Sequence, residues 1–192
     1  MNEERYASPA SAKADAVARE GAVTLAIDTE VELDGARLGK PRDKGHALEL
    51  LRRLAGREHE VRSEVVVVSA AARRSRFAVT TRVRMTGDER ILERYAATDE
   101  PLDKAGAYAI QGEGRMVVES FEGCFANVTG LPLCHVYFAL RRTGVAPRER
   151  PEVACQEHFA FVCPVWRLAH RQGRALRDGG EYASWREDVT GG

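Results

Sequence analysis

Apolar and polar positions alternate along this chain in two rhythms, one with the period of a helix and the other with that of a strand. ASAKADAVARE (10–20) is rich in alanine and charge and predicts a helix that Gly21 would cap. VTLAIDTEVEL, from Val23 to Leu33, predicts a strand ending in an Asp34-Gly35 turn. LGKPRDKGHALELLRRLAG (38–56) opens on a Pro41 turn. It continues as a helix with Leu50, Leu51 and Leu54 inward, stopped by Gly56. Two long strands follow, Glu60 to Ala70 and Arg76 to Met85, joined through AARRS in a hairpin or tight connection. GDERILERYAA (87–97) predicts a helix with Ile91, Leu92 and Tyr95 on its core side. RMVVESFEG (115–123) predicts a strand and LPLCHVYFALRRTG (131–144) a closing helix.

Helices interleaved with strands predict an α/β protein, and the adjacent strand pair predicts a mixed rather than purely parallel sheet. From Pro147 the pattern weakens as Pro, Arg and Gly accumulate. The expected organisation is therefore one domain over residues 1–146 and an extension or tail over 147–192.

The segment DEPLDKAGAYAIQG (99–112) follows neither rhythm. It mixes a Glu100-Pro101 turn, the Asp103-Lys104 pair, Gly106, Tyr108 and the amide Gln111 before Gly112. Charges, small residues and one amide suit a loop that grips a polar ligand.

Composition narrows the choice of ligand. Among 192 residues, 29 basic and 29 acidic side chains cancel, so no global field draws the chain to nucleic acid or an acidic membrane surface. The opening MNEERYASPASAKADAV has no apolar core of a secretory signal, and no run approaches the ~18 apolar residues needed to span a bilayer. A soluble, cytoplasmic protein without nucleic-acid or membrane partners is the expectation. The four cysteines, Cys124, Cys134, Cys155 and Cys163, contain no C-x-x-C pair. Cys155, His158 and Cys163 are close enough in sequence to share a metal, with Cys134 or His135 as a fourth ligand, or they are simply buried or loosely placed thiols beside a surface histidine.

Several residues could carry chemistry. In a strand, Asp28, Glu30, Glu32 and Asp34 share one face and Ile27, Thr29, Val31 and Leu33 the other. A row of carboxylates can hold Mg²⁺ or Mn²⁺, or it can be the solvated face of an edge strand. Asp28 follows the apolar run 23–27, where a carboxylate needs a partner or a task. Lys13, Lys40 between Gly39 and Pro41, and Lys104 are point charges suited to phosphate, although each alone could be a solvated lysine. No P-loop, G-x-S-x-G, H-E-x-x-H or kinase signature occurs.

Together, IDTEVELDGARLGKP, HALELLRRLAGREHEV, DEPLDKAGAYAIQG and NVTGLPL stand in an order and spacing that resembles the Maf family of nucleoside triphosphate pyrophosphatases. The resemblance covers about Tyr6 to Gly144. It implies an elongated mixed sheet flanked by helices, similar to the inosine triphosphatase architecture. It also implies hydrolysis between the α- and β-phosphates with a divalent metal, Mg²⁺ or Mn²⁺, a nucleoside triphosphate as substrate, and room for a homodimer. On the resemblance, Asp28 is the catalytic aspartate that activates water or holds the metal. Thr29 and Gln111 match positions associated with base selection, and Lys13 and Lys40 match phosphate-facing lysines, with Lys104 in the long loop as a further substrate contact. The pairing of Asp28-Thr29 with DKAGAYAIQG resembles the dTTP and UTP branch rather than the branch acting on 7-methyl-GTP.

The family's Ser-x-Ser-Pro-Arg-Arg loop has no counterpart in this sequence, whose single Ser-Pro, Ser8-Pro9, lacks the arginines. The expectation is an N-terminally shortened domain. Glu30 and Glu32, where the family usually places apolar residues, agree with a strand face left uncovered. An impaired relative that binds nucleotide or a partner without turnover is the alternative function. Arg167, Arg171, Arg174 and Arg177 lie in PVWRLAHRQGRALRD (164–178), and the first three share a helical face. They could replace the missing cationic charge or form a solvated basic tail.

Overall fold

The structure, a computed structural model, describes residues 8–159 and Cys163, without the side chains of His158 and Phe159. The basic segment 164–178 and the imidazole of His158 lie outside the described residues. The α/β fold expected from the sequence is the one observed. The strands β1 (Thr24–Leu33), β2 (Ala36–Leu38), β3 (Glu58–Val68), β4 (Arg74–Met85) and β5 (Val118–Glu122) form one sheet in the order β2-β1-β3-β4-β5. Its strands pair antiparallel, so the expected departure from a purely parallel sheet goes all the way.

The chain divides into two compact units, and β1, β3 and β4 contribute residues to both. The first unit takes the residues up to Asp28, Glu64–Val79 and the residues from Leu133 on. Here α1 (Pro9–Val17) starts at Ser8, whose hydroxyl accepts the Ser11 N–H at 3.2 Å, with Pro9 in its first turn. It ends at Ala18, earlier than Gly21 would have capped it. Ala10 and Ala14 pack on Ala26 of β1 and Val66 of β3, with Val68 at the margin. Methyl-sized side chains let the helix lie close to the sheet, which decides what its polar side chains can reach. The same unit holds α5 (Leu133–Arg142) and α6 (Pro151–Phe159), the latter in a stretch where the sequence showed only a weakening pattern. Cys155 of α6 and Cys163 are both buried.

The second unit comprises Thr29–Ser63 and Thr80–Pro132. Asp34 and Gly35 turn at φ 53° and 78°, the left-handed conformations a two-residue hairpin requires. The chain therefore returns at once as the short β2, a strand the sequence pattern did not reveal. α2 (Lys44–Leu54) is capped by the Asp43 carboxylate on the His46 N–H at 2.8 Å, and it buries Ala47, Leu50, Leu51 and Leu54. α3 (Glu89–Ala96) buries Leu92, Tyr95 and Ala96 and packs against α2. Ile91, expected inward, is only half-buried. Residues 112–117 form a 3-10 turn rather than the start of β5, and α4 (Phe125–Val128) is a single short turn.

Burial along β1 changes side. Thr24 and Ala26 are buried near its start, Val31 and Leu33 near its end, so the buried set moves from even to odd positions. Asp28 and Thr29 sit at that switch, both half-buried. Glu30 and Glu32 follow on the even side, also half-buried. The Arg37 guanidinium on β2 lies 2.7 Å from the Glu30 carboxylate, and Arg37 is the register partner of Glu32. A basic residue across the hairpin thus explains how this strand tolerates two acids where apolar residues would otherwise pack.

Candidate functional site

Two groups of candidate residues emerge, one in each unit. In the first, α1 points Lys13 at β1. Its ammonium donates to the Asp28 Oδ1 at 2.6 Å and to the Ile27 carbonyl at 3.3 Å. The lysine side chain is 56% exposed and the aspartate 20%, so the carboxylate is the member that gives up water and needs the opposite charge. Alanines at 10 and 14 make this reach possible, since larger residues would hold the helix farther from Asp28.

In the second unit, a cleft of about 210 Å³ is lined by Thr29, Val31, Lys40, Val61, Asp103, Lys104, Ala105, Tyr108, Val128, Thr129 and Gly130. Thr29, Lys40 and Lys104, three of the residues expected to bind substrate, therefore share one cavity. Their convergence has a backbone cause. The Gly106 N–H donates to the Gly39 carbonyl at 3.0 Å, tying the loop that carries Lys104 to the segment that carries Lys40. Gly106 itself adopts φ 70°, and a Cβ there would lie 2.9 Å from Val31 Cγ1, so glycine is the residue that fits. Farther along, the Ala109 N–H donates to the Tyr95 hydroxyl at 3.1 Å and the Gly114 N–H to the Glu100 carboxylate at 2.7 Å. The irregular loop read from sequence is thus a series of 3-10 turns pinned at both ends.

The polar groups of the cleft are arranged in layers. The Lys104 ammonium pairs with the neighbouring Asp103 carboxylate, and this hydrogen bond, with Lys40 contributing less, holds Asp103 below the usual carboxylate range. Deeper, the Thr29 and Ser63 hydroxyls lie 2.8 Å apart, and Ser63 reaches the Asn127 carbonyl at 3.5 Å. The Asn127 amide donates to the Val61 carbonyl at 2.9 Å and to Thr81 Oγ1 at 3.1 Å. Tyr108 contributes its ring, and its hydroxyl meets His59 Nε2 at 2.7 Å. Burial pushes the phenol's pKa up and pulls that of His59 down to about 4.

Gln111 does not join them: it is exposed and does not line the cleft. Sequence reading passed over His59, Ser63, Thr129 and Gly130. Thr129 and Gly130 stand in NVTGLPL, one of the blocks that carry the family resemblance, with no role read for them, and a lone histidine or serine on an apolar strand gives no signal of its own.

No group of three or more His, Cys, Asp or Glu side chains among the described residues could hold a metal ion, which leaves the Cys155 and Cys163 grouping without support there. Burial, and secondarily Cys163, push the Cys155 thiol up, away from the thiolate a metal needs. Asp28 offers one carboxylate, whose Oδ1 accepts from the Lys13 ammonium at 2.6 Å. Mg²⁺ commonly takes one or two carboxylates and completes its shell with water and substrate phosphate. No helix among the described residues is long and apolar enough to cross a membrane.

A protein named dTTP/UTP pyrophosphatase from Nitratidesulfovibrio vulgaris is 45% identical over 148 residues, covering 77% of this chain and 70% of its own. Its namesake in Exiguobacterium sibiricum is 46% identical over 136 residues, 70% of this chain and 69% of its own. That of Methylococcus capsulatus is 45% identical over 142 residues, 73% and 70%. Residues 1–143 match the family described as Maf-like protein, and the chain belongs to that family.

Proposed function

We propose that this protein hydrolyses dTTP and UTP to the nucleoside monophosphate and pyrophosphate. The observation that carries the proposal is the cleft that joins two lysines to an apolar wall within one cavity. Phosphates want the ammonium groups of Lys40 and Lys104, and a base and sugar want Val31, Val61, Val128 and the Tyr108 ring, with Thr29 and Thr129 offering hydroxyls. The names of the relatives point to the same substrates.

In the proposed reaction, water attacks the α-phosphorus and the bond to the oxygen bridging the α- and β-phosphates breaks. That oxygen leaves with pyrophosphate. Asp28 takes the water's proton, and Lys13, 2.6 Å from its Oδ1, holds the carboxylate in place. Lys40 and Lys104 neutralise charge that gathers on the phosphate oxygens. A divalent cation held by Asp28 together with the substrate's phosphates would add further neutralisation. Gln111 is assigned to base selection on the resemblance, from an exposed position that substrate would have to engage. The chemistry is assigned to residues 1–146 and the remainder to an extension.

The test is incubation with dTTP, UTP, CTP and GTP plus Mg²⁺ or Mn²⁺, reading monophosphate and pyrophosphate. Preferred turnover of dTTP and UTP is expected, with Asp28→Asn reducing kcat by about 10²–10⁴. Absence of turnover with every nucleotide defeats the enzymatic reading and leaves a nucleotide-binding relative. Activity indifferent to Asp28→Asn removes that residue from the role of base.

A further inference from the structure

His59 has no part in the chemistry just described, yet its placement is costly. It is 3% exposed on β3, and Tyr108 is 5% exposed beside it. The two rings meet edge to face, centroids 5.3 Å apart at 86°, with Nε2 and the phenolic oxygen at 2.7 Å. His59 Nδ1 is buried without a hydrogen-bond partner among the described residues.

Counting hydrogens sharpens the picture. A neutral imidazole brings one N–H and the phenol one O–H, while the space between Nε2 and the phenolic oxygen holds only one hydrogen. If Nε2 accepts, the imidazole's hydrogen sits on Nδ1 as a buried donor with nothing to receive it. Orphaned buried N–H groups are rare in folded proteins. If Nε2 donates, Nδ1 keeps only a bare lone pair, and the phenol's own hydrogen is released toward another acceptor. Each arrangement strands one hydrogen in the ligand-free protein, but only in the second can an acceptor on a bound ligand take it up. Burial keeps the imidazole neutral near pH 7, so a second N–H does not arise there. Tyr108 lines the cleft, and the acceptor it would meet on a bound ligand is an oxygen.

We propose that Tyr108 donates a hydrogen bond to the C4 carbonyl oxygen of the nucleobase, and that His59 is the positioning residue that fixes the phenol for this task. The inference rests on the nucleotide reading of the cleft and extends it to a base class. Thymine and uracil carry carbonyl oxygens at both C2 and C4, whereas cytosine presents an amino group at C4. A donor fixed at C4 therefore favours the first pair and meets a second donor in cytosine, which shares only the C2 carbonyl with them.

The test compares Tyr108→Phe, His59→Leu, the double variant and His59→Gln with the wild type. KM and kcat are measured for UTP and CTP, and inhibition by inorganic tripolyphosphate reports on the lysines alone. Tyr108→Phe and His59→Leu are each expected to raise KM for UTP about tenfold, with kcat within about twofold and tripolyphosphate inhibition unchanged. Preference for UTP over CTP narrows in both. The double variant is no worse than Tyr108→Phe, because both changes remove one interaction. His59→Gln, whose amide N–H can donate from near the place of Nε2, stays within about threefold of the wild type. Unchanged KM, a parallel loss of tripolyphosphate inhibition, or additive losses in the double variant overturns the proposal. Should His59→Leu fail to fold, Tyr108→Phe and His59→Gln decide by the same criteria. If the wild type turns over no nucleotide, the proposed function fails and this inference falls with it. Turnover by the wild type with the wrong variant pattern sinks this inference alone.

Discussion

Lys13 and Lys104 each hold an aspartate, and the two pairs differ in which partner depends on the other. In the first unit, Asp28 is 20% exposed while Lys13 is 56% exposed, and 15 residues separate them in sequence. In the second, Asp103 is 72% exposed, Lys104 is 38% exposed, and they are neighbours in the chain. A half-buried carboxylate stripped of its cation is left with an uncompensated charge, whereas an exposed one turns to water. The Asp28 carboxylate therefore depends on Lys13 for its compensating charge. The Asp103 carboxylate has water as an alternative to Lys104, so under the proposed function substrate phosphate would compete with it for that ammonium.

Acid offers the largest perturbation of both regions, since each carries one buried histidine. His135 on α5 in the first unit and His59 in the second have pKa values lowered by burial to about 3 and about 4. An unfolded histidine takes a proton near pH 6.5, which the folded ones refuse until far lower. The stability this represents is fully present above pH 6.5 and is lost as pH falls toward 4, by on the order of 3 kcal/mol per histidine. Urea titrations between pH 7 and 4 should show the loss, and His59→Gln should remove its own share while keeping that of His135. A flat profile would contradict the burial of both rings.

Ala14→Leu strikes the first region alone. Ala14 is fully buried against Ala10, Ala26 and Val66, so added volume must push α1 away from the sheet. A loss of about 1–3 kcal/mol is expected by thermal melting. Lys13 moves with the helix, so pyrophosphate release should fall while tripolyphosphate inhibition, which reads Lys40 and Lys104, holds. Equal effects on both readouts would erase the contrast between the regions.

The smallest effect belongs to Asp103→Asn. Freed of its carboxylate, Lys104 is available to phosphate before binding, so KM should fall by at most about threefold at low salt and converge with the wild type as ionic strength rises. A rise in KM would make Asp103 a ligand-binding group instead of a competitor.

The regular elements were legible because packing imposed a period on them. β1, α2, α3 and the β3–β4 pair all appear within a few residues of their predicted bounds. β2 was not legible, since three residues are too few for a period and only the Asp34-Gly35 turn announced it. α6 was hidden because its apolar content is low and prolines surround it, although Cys155 is buried. Of the site, the residues with distinctive chemistry in odd surroundings stood out: Asp28 after an apolar run, Lys40 between glycine and proline, and Lys104 in the irregular loop. Which of them share a cavity depended on long-range backbone contacts that no local pattern encodes. His59 could not be singled out, because a histidine in an alternating strand reads the same whether it holds a tyrosine or faces water.

The bond between the Gly106 N–H and the Gly39 carbonyl has a consequence for how this protein can vary. It joins main chain to main chain, so beyond the glycine that position 106 requires it depends chiefly on how many residues lie on either side. Lys40 stands one residue from one anchor and Lys104 two from the other. A single insertion in either interval would carry an ammonium away by roughly 3.3–3.6 Å, a full residue's reach. Length, more than composition, is what those two short intervals must keep.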